Sequence, residues 1–421
     1  MAALCENCKR NGRVWCPHNA ALEMQARMKG LVRQEMSGAA AQSFFVGHNF
    51  YPNVYWGPVV SPERAEDDPA KMYGMPLEKI IENRAMMVRG TKRSAGGVKF
   101  ANSGSREGGG RILEEAQNAV MSVKVVDAEA RFTKTPVFSF EFDSVIRPVG
   151  ASAPIEKFRL TENAPVPKKV DSFYNSDEVA NDALRELLLS GFDVHYLSRL
   201  LSSGILGRRK DRKLVPTKWA ITATDDMAAK RFMESVRDCR ELEEARVYSN
   251  SYLDNHFEIL LLPGNWEYEQ FETGLTRELE ERQKKKQSRE GLNYSVSAWE
   301  DWKNDGRVNI SEEHEPFFGR SDYAQRQGGG YYAARLAACE ALYRMNRQAR
   351  VVVFREIGTG YDVPVGVWEV RENVRHAFLS APEKFATQKE AMARLSEKLA
   401  VPMGEYVKNS KILAQRRLTD Y

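Results

Sequence analysis

The chain has 421 residues, enough for two or three domains of ordinary size. Its 62 Lys and Arg against 58 Asp and Glu leave a net charge of +4, with 42% hydrophobic and 29% charged residues. These figures describe a globular chain and exclude a disordered polybasic tail-binder. The best apolar runs, 259–262 and 351–354, fall far short of the roughly 20 residues a membrane span needs. Polar residues from Cys5 onward leave no room for a signal peptide's apolar core, so a cytoplasmic location is expected. The mild basicity admits nucleic acid as a partner without requiring it.

Residues 21–34 place Leu22, Met24, Met28 and Leu31 among charges, which predicts an amphipathic helix. Phe44-Phe45-Val46-Gly47 and Val54-Tyr55-Trp56-Gly57-Pro58-Val59 predict short strands around a turn. Helical spacing returns over 75–89, a Gly-, Ser- and Arg-rich loop spans 95–111, and a helix over 112–121 leads into a strand from Lys124. Residues 137–142 alternate as a half-buried strand, while Pro-rich 151–169 predicts irregular chain. Helices follow from Asp177 and over 196–201. By composition, 219–224 reads as a buried strand followed by a helix that Asp225 caps. Strand is predicted over 252–262 and a charged helix or linker over 276–289. A helix over 331–347 carries Leu336, Cys339, Leu342 and Tyr343 on one face. Strands over 350–355 and 365–370 and a last helix over 387–399 complete the chain. Helices and strands mix without a strict β-α-β rhythm, so the expected class is α+β with mostly antiparallel strands.

Three of the five Cys fall in the first sixteen residues. In an intracellular chain, clustered Cys points to metal or redox chemistry and not to disulfides. Cys5-x-x-Cys8 has the spacing of a zinc knuckle, in which a tight turn brings two thiolates about 2.3 Å from one ion. Cys16-Pro17-His18 offers a second pair across the loop 9–15. Cys5, Cys8, Cys16 and His18 thus form a candidate tetrahedral site, and a closed set of four protein ligands means structural zinc. The single residue between Cys16 and His18 is tighter than usual, which leaves Asn19 or water as the alternative fourth ligand. The plain alternative to the whole site is a frayed terminus with reducible thiols. Cys239 and Cys339 stand alone in helix-like stretches and are expected to pack as small hydrophobes.

At the other end, Gln415-Arg416-Arg417-Leu418-Thr419-Asp420-Tyr421 fits Gln-x-x-aliphatic-x-x-aromatic, the pattern with which proteins dock on DNA sliding clamps. Leu418 and Tyr421 lie on one helical turn and enter a single apolar pocket, while Gln415 reaches a polar site. The fullest form carries two adjacent aromatics and this one has one; the duller reading is a frayed helix end. Arg208, Arg209, Lys210, Arg212 and Lys213, with Lys218 beyond, face Asp211 alone. They are the candidate phosphate contacts, because clustered cations release counterions from a nucleic-acid backbone. The lysines at 284–286 follow Glu278, Glu280 and Glu281 and read as a solvated helix. The glycine-rich loop 95–111 lacks the Gly-Lys-Ser/Thr ending of a nucleotide-hydrolysing loop. His195, His256 and His376 are expected in structural roles. Asp225-Asp226 has the residue type that holds Mg²⁺ in nucleases, although two Asp at a helix start more commonly form a cap.

Several strings are familiar together. Phe45-Val46-Gly47, Tyr51-Pro52-Asn53-Val54 and Gly57-Pro58 open the series, and Leu200 to Gly207 followed by Arg212 to Ala223 continues it. Gly329-Gly330-Tyr331-Tyr332-Ala333-Ala334-Arg335-Leu336, Arg347-Gln348-Ala349 and Pro364-Val365-Gly366-Val367-Trp368 close it. In order and over nearly the whole chain, these resemble the archaeal Nre DNA-repair family. The resemblance implies an N-terminal zinc finger (1–20), two α+β domains (21–285 and 286–408) and a flexible clamp-binding tail (409–421). It further implies a nucleoid-associated role in DNA-damage repair coordinated by the sliding clamp PCNA, with DNA as a second partner. Two departures are His18 where the family's finger generally has a fourth Cys, and the single terminal aromatic, which predicts weaker clamp affinity. No catalytic residue carries over, so enzymatic activity stays open. The competing readings are a metal-dependent nuclease or other nucleic-acid-processing enzyme, and an RNA-associated factor.

Overall fold

The computed structural model of the protein describes residues 26–94, 97–99, 110–138, 150–275, 310–358, 360–361 and 363–414, together with positions 6, 9, 16, 19 and 23. The chain divides into two compact units, Met1–Ala228 and Ala229–Tyr421.

The first unit is built around β1 (Glu35–Val46), a twelve-residue strand that buries Met36, Ala39, Ala40, Phe44 and Val46. A break in register between Ala40 and Phe44 lets this one strand serve two neighbours. Its first half pairs antiparallel with β4 (Val126–Phe132), its second with β2 (Tyr55–Ser61). Next to β2 lies antiparallel β3 (Val88–Arg93), and next to β4 lies antiparallel β6 (Ala151–Leu160). Strand β3 then runs parallel to β6, pairing Arg89, Gly90 and Thr91 with Ser152, Ala153 and Pro154. The five strands therefore close into a ring ordered β1-β2-β3-β6-β4, and β5 (Val137–Phe138) pairs with Ala151 and Ser152 at the start of β6. Closure needs small residues where backbones crowd: a Cβ on Gly57 would sit 2.0 Å from the Gly90 carbonyl oxygen.

Between β3 and β4 in the chain, the helix Gly110–Met121 packs on β1, β2 and β6. Its apolar face of Ile112, Leu113, Ala116, Ala119 and Val120 recurs at helical spacing and joins Trp56, Phe132 and Phe158 in one core. The helices Lys168–Asn175, Ala180–Leu189 and Val194–Ser202 add Val170, Leu184, Leu187, Leu197 and Leu200 to that core. Two expectations change here. Strand β6 replaces the irregular chain predicted from 151, because Ala151, Ala153 and Ile155 alternate inward while Pro154 faces out. Residues 219–224 belong to the helix Thr217–Val236, not to a strand; Ala220, Thr224 and Ala228 are buried at a spacing of four.

The second unit is a six-stranded sheet ordered β10-β9-β11-β8-β7-β12. Its strands are β7 (Ala245–Tyr252), β8 (Asn255–Leu262), β9 (Glu267–Gly274), β10 (Ile310–Glu315), β11 (Arg350–Ile357) and β12 (Glu383–Phe385). All neighbours are antiparallel except β9 and β11. Helices Gln388–Lys398 and Met403–Asn409 bury Ala391, Leu395 and Tyr406 with Val247, Leu260, Phe271 and Phe354 on one face. The helices Gly329–Met345 and Trp368–Ala377 pack on each other, and the second packs on β7 and β8. The predicted strand over 365–370 gives way to the start of that second helix. Trp368 Nε1 donates to the Val365 carbonyl at 2.6 Å, and Gly366 takes φ +106°. The molecule is α+β with mostly antiparallel strands, as expected.

Candidate functional site

The basic segment follows the helix Val194–Ser202, where Asp193 caps through the His195 amide at 2.8 Å. A single 3-10 turn, Arg209–Asp211, exposes Arg208, Arg209, Lys210 and Lys213. The loop is tied down at Arg209, whose amide donates to Asp177 Oδ1 and whose guanidinium donates to the Asn175 carbonyl, both at 2.9 Å. Arg212 departs from the sequence expectation. It is buried, donating from Nε to Gly207 O at 2.8 Å and from one NH2 to Phe173 O and Ser176 O at 3.2 and 3.3 Å. Its guanidinium lies 5.3 Å from the Tyr174 ring centre, and burial lowers its pKa. Four of the five predicted cations thus share an exposed turn, and the fifth holds that turn in place.

Of the predicted zinc ligands, Cys5, Cys8 and His18 lie outside the described residues, as do Gln415, Leu418 and Tyr421 of the tail motif. Cys16 is buried, and its sulfur accepts the Asn19 amide at 3.4 Å. Among the described residues no group of three or more His, Cys, Asp or Glu is placed to hold a metal ion. Asp225 is the ninth residue of its helix and is buried, so the expected capping role is corrected. No helix among the described residues is long and apolar enough to cross a membrane.

The sheet of the second unit carries ionisable rows that the sequence reading missed. Strands alternate faces, so Tyr268, Gln270 and Glu272 on β9 share a face with Arg355 on β11 and Asn255 on β8. Arg355 donates to Asn255 Oδ1 from Nε and NH2 at 2.9 and 2.6 Å and to Glu272 Oε1 from NH1 at 3.1 Å. Glu369 Oε2 lies 3.6 Å away, and burial raises that carboxyl to about 7 against the pull of Arg355 and of the Asn373 amide at 2.9 Å. Beside them, Arg335 NH1 donates to Glu315 Oε2, which also accepts the Tyr331 hydroxyl at 3.2 Å. The opposite face holds Glu258, Glu269 and Glu356. Glu356 accepts the Ala400 and Val401 amides at 2.8 and 2.9 Å and the Tyr406 hydroxyl at 3.0 Å. Glu269 accepts the Ser410 hydroxyl and the Lys411 and Ile412 amides, so the first residues of the predicted 409–421 tail are fixed to the body and not flexible. Burial raises both carboxyls.

The histidines take structural places. His376 Nδ1 sits 2.8 Å from the Glu372 carbonyl, and His256 Nδ1 sits 2.8 Å from Ser251 Oγ. Burial opposes charge on His256, yet Glu258, 3.0 Å from its Nε2, outweighs that and raises its pKa. Cys339 packs in the buried helix as expected, its thiol pushed up by burial. Cys239 is partly exposed, with Sγ 3.2 Å from Asn346 Oδ1.

Comparison with known proteins places this geometry. The pattern described as "Archaeal Nre, N-terminal" matches residues 11–278 and "Archaeal Nre, C-terminal" matches residues 315–421. The DNA repair protein NreB of Archaeoglobus fulgidus is 32% identical over 422 residues, covering 98% of this chain and 97% of its own. The DNA repair protein NreA of the same organism is 33% identical over 407 residues, covering 95% and 94%. NreA of Haloferax volcanii is 29% identical over 388 residues, covering 90% and 86%. No solved structure matches. With both halves matched and relatives aligned almost end to end, the chain belongs to the archaeal Nre family.

Proposed function

We propose that this protein is a DNA-damage repair factor, carried to DNA by the sliding clamp PCNA and bearing a structural zinc finger at its N-terminus. The observation that carries the reading is the nearly full-length match to proteins named for DNA repair. The tail motif Gln415-x-x-Leu418-x-x-Tyr421 begins one residue beyond the described chain, whose root Glu269 fixes. A motif rooted so close to the body holds that body near DNA at high effective concentration once the clamp is bound. The four exposed cations Arg208, Arg209, Lys210 and Lys213 then need only add weak, salt-dependent contacts.

Cys5, Cys8, Cys16 and His18 would hold the zinc. The donor set fits it, since the Asn19 amide on Cys16 Sγ favours a thiolate there. Zinc would close the 5–18 loop as a folded unit.

Calorimetric titration into PCNA tests the tail. Deleting residues 415–421 should abolish binding while circular dichroism stays unchanged, and unchanged affinity would overturn the assignment. Metal analysis tests the finger: one zinc per chain is expected, lost on Cys8→Ser, and metal-free purified protein would refute it.

A further inference from the structure

The ring β1-β2-β3-β6-β4 has a recognisable order. Counting its barrel strands one to five along the chain, they pair 1-2-3-5-4-1, the third and fifth are parallel, and a helix separates the third from the fourth. That is the arrangement of an OB-fold, whose first loop and second and third strands take up single-stranded oligonucleotides in many unrelated proteins. A fold assigns no ligand by itself, so the argument passes to the residues.

The loop from β1 to β2 presents aromatic rings to solvent. Phe50 is 70% exposed, and Tyr51, Tyr55 and Trp219 are 46%, 43% and 45% exposed. They form two pairs, Tyr51 with Trp219 at 5.1 Å between ring centres and Phe50 with Tyr55 at 6.3 Å. Phe50 holds φ +66°, a strained conformation for a bulky residue, in a turn closed by the Asn53 amide on the Phe50 carbonyl at 2.8 Å. The core gains nothing from this strain, because the ring points into water.

Cations lie on the strand beside these rings. Tyr55 pairs with Arg93 across β2 and β3, and Trp56 with Lys92. The Leu214 amide donates to the Val98 carbonyl at 3.0 Å, which brings Lys99 and Lys213 to neighbouring segments. Thr217 ties the Trp219 helix to β1, its hydroxyl accepting the Val46 amide at 2.8 Å. The segments 44–56, 88–94, 97–99 and 212–222 contain seven Lys and Arg, of which Arg212 is enclosed, and no Asp or Glu. Stacking rings in a field of one sign are what an unpaired nucleic-acid strand recognises, bases on the rings and phosphates on the cations.

We propose that the loop 47–54, with Tyr55, Trp219 and the flanking cations of β3, binds single-stranded DNA. The choice of DNA rests on the repair function proposed above; the stacking platform rests on the geometry.

The test is fluorescence anisotropy of the full-length protein with labelled oligothymidine across a salt series. Tyr51→Ala and Trp219→Ala should each weaken binding roughly tenfold without changing the salt slope, and Trp219→Phe should retain most of the affinity. Arg93→Ala should instead lower the slope by about 0.7. Phe50→Asn keeps the fold question separate, since Asn accepts the left-handed conformation: thermal stability should hold or rise while binding weakens. No binding by the wild type at low salt, or wild-type affinity in a folded Tyr51→Ala/Trp219→Ala double variant, overturns the proposal. Tenfold preference for oligouridine overturns the choice of DNA. The clamp titration reads the repair function independently, so a protein that binds PCNA but no oligothymidine loses only this site.

Discussion

The two units dispose of their charges in opposite ways. Among the described residues, the first unit buries four Arg, His, Asp or Glu side chains, Arg84, His195, Arg212 and Asp225; the second buries thirteen. The cause is architectural. A small closed barrel has one dry interior, so Arg93 of β3 and Arg208, Lys210 and Lys213 of the 208–213 turn fall outside. A sheet with helices on both faces has two dry layers, and any charge on its strands is enclosed and must be paired. Outward cations can reach a partner; enclosed ones are committed to the fold.

The largest expected effect comes from breaking an enclosed pair. Arg335 and Glu315 are 1% and 0% exposed, and Arg335 also stacks near Tyr332, 5.4 Å from its ring centre. Arg335→Met should destabilise the second unit by about 3–5 kcal/mol, because a buried carboxylate loses its counter-charge. Adding Glu315→Leu should recover most of that loss, since an apolar pair of similar volume replaces the ionic one. Urea denaturation of the single and double variants measures both. If the double variant is no more stable than the single, the pair matters for packing and not for charge.

Next in size is a pH effect of the same enclosure. Glu369 has a folded pKa of about 7, above the roughly 4.3 of an unfolded Glu. The folded chain therefore holds a proton that the unfolded chain has released between those values. Stability should fall as pH rises from about 4.3 to 7 and level off beyond. The shift corresponds to about 4 kcal/mol. Glu369→Gln keeps an oxygen for the Asn373 amide and removes the titration, so its denaturation midpoint should lose this component of the pH slope. Parallel pH profiles for variant and wild type would assign the slope to Glu269 and Glu356.

This asymmetry also explains what was legible in the sequence. The β1–β2 hairpin could be read because Phe44, Val46, Val54 and Trp56 meet the alternation of a strand with one dry face. Residues 219–224 were misread because Trp, Ile and Thr favour strands by composition, while the burial of Ala220, Thr224 and Ala228 repeats every four residues. The run Glu267-Tyr268-Glu269-Gln270-Phe271-Glu272 has the alternation of an exposed edge, yet from Tyr268 onward every residue is buried. A carboxylate in a strand carries no local mark of whether a helix will cover it; that depends on the 329–345 and 388–413 segments far along the chain. The Phe50 turn was illegible for a different reason, since nothing in Asn49-Phe50-Tyr51-Pro52 announces a left-handed Phe. In the candidate site, the cation run was legible and the inward turn of Arg212 was not.

The smallest expected effects sit within that run and set both behaviours side by side. Arg212 and Arg208 are four residues apart and look equivalent in sequence. Arg212→Ala leaves the Gly207, Phe173 and Ser176 carbonyls without their charged donor and should cost about 2 kcal/mol in urea denaturation. Arg208→Ala should change stability by less than about 0.5 kcal/mol, as expected of an exposed side chain. On duplex DNA the order reverses. Arg208→Ala should lower the salt slope by about 0.9, the value of one phosphate contact, and folded Arg212→Ala should leave it unaltered. If Arg212→Ala flattens the slope while the chain stays folded, the guanidinium turns outward to meet DNA, and the division between enclosed and outward cations fails at the first unit.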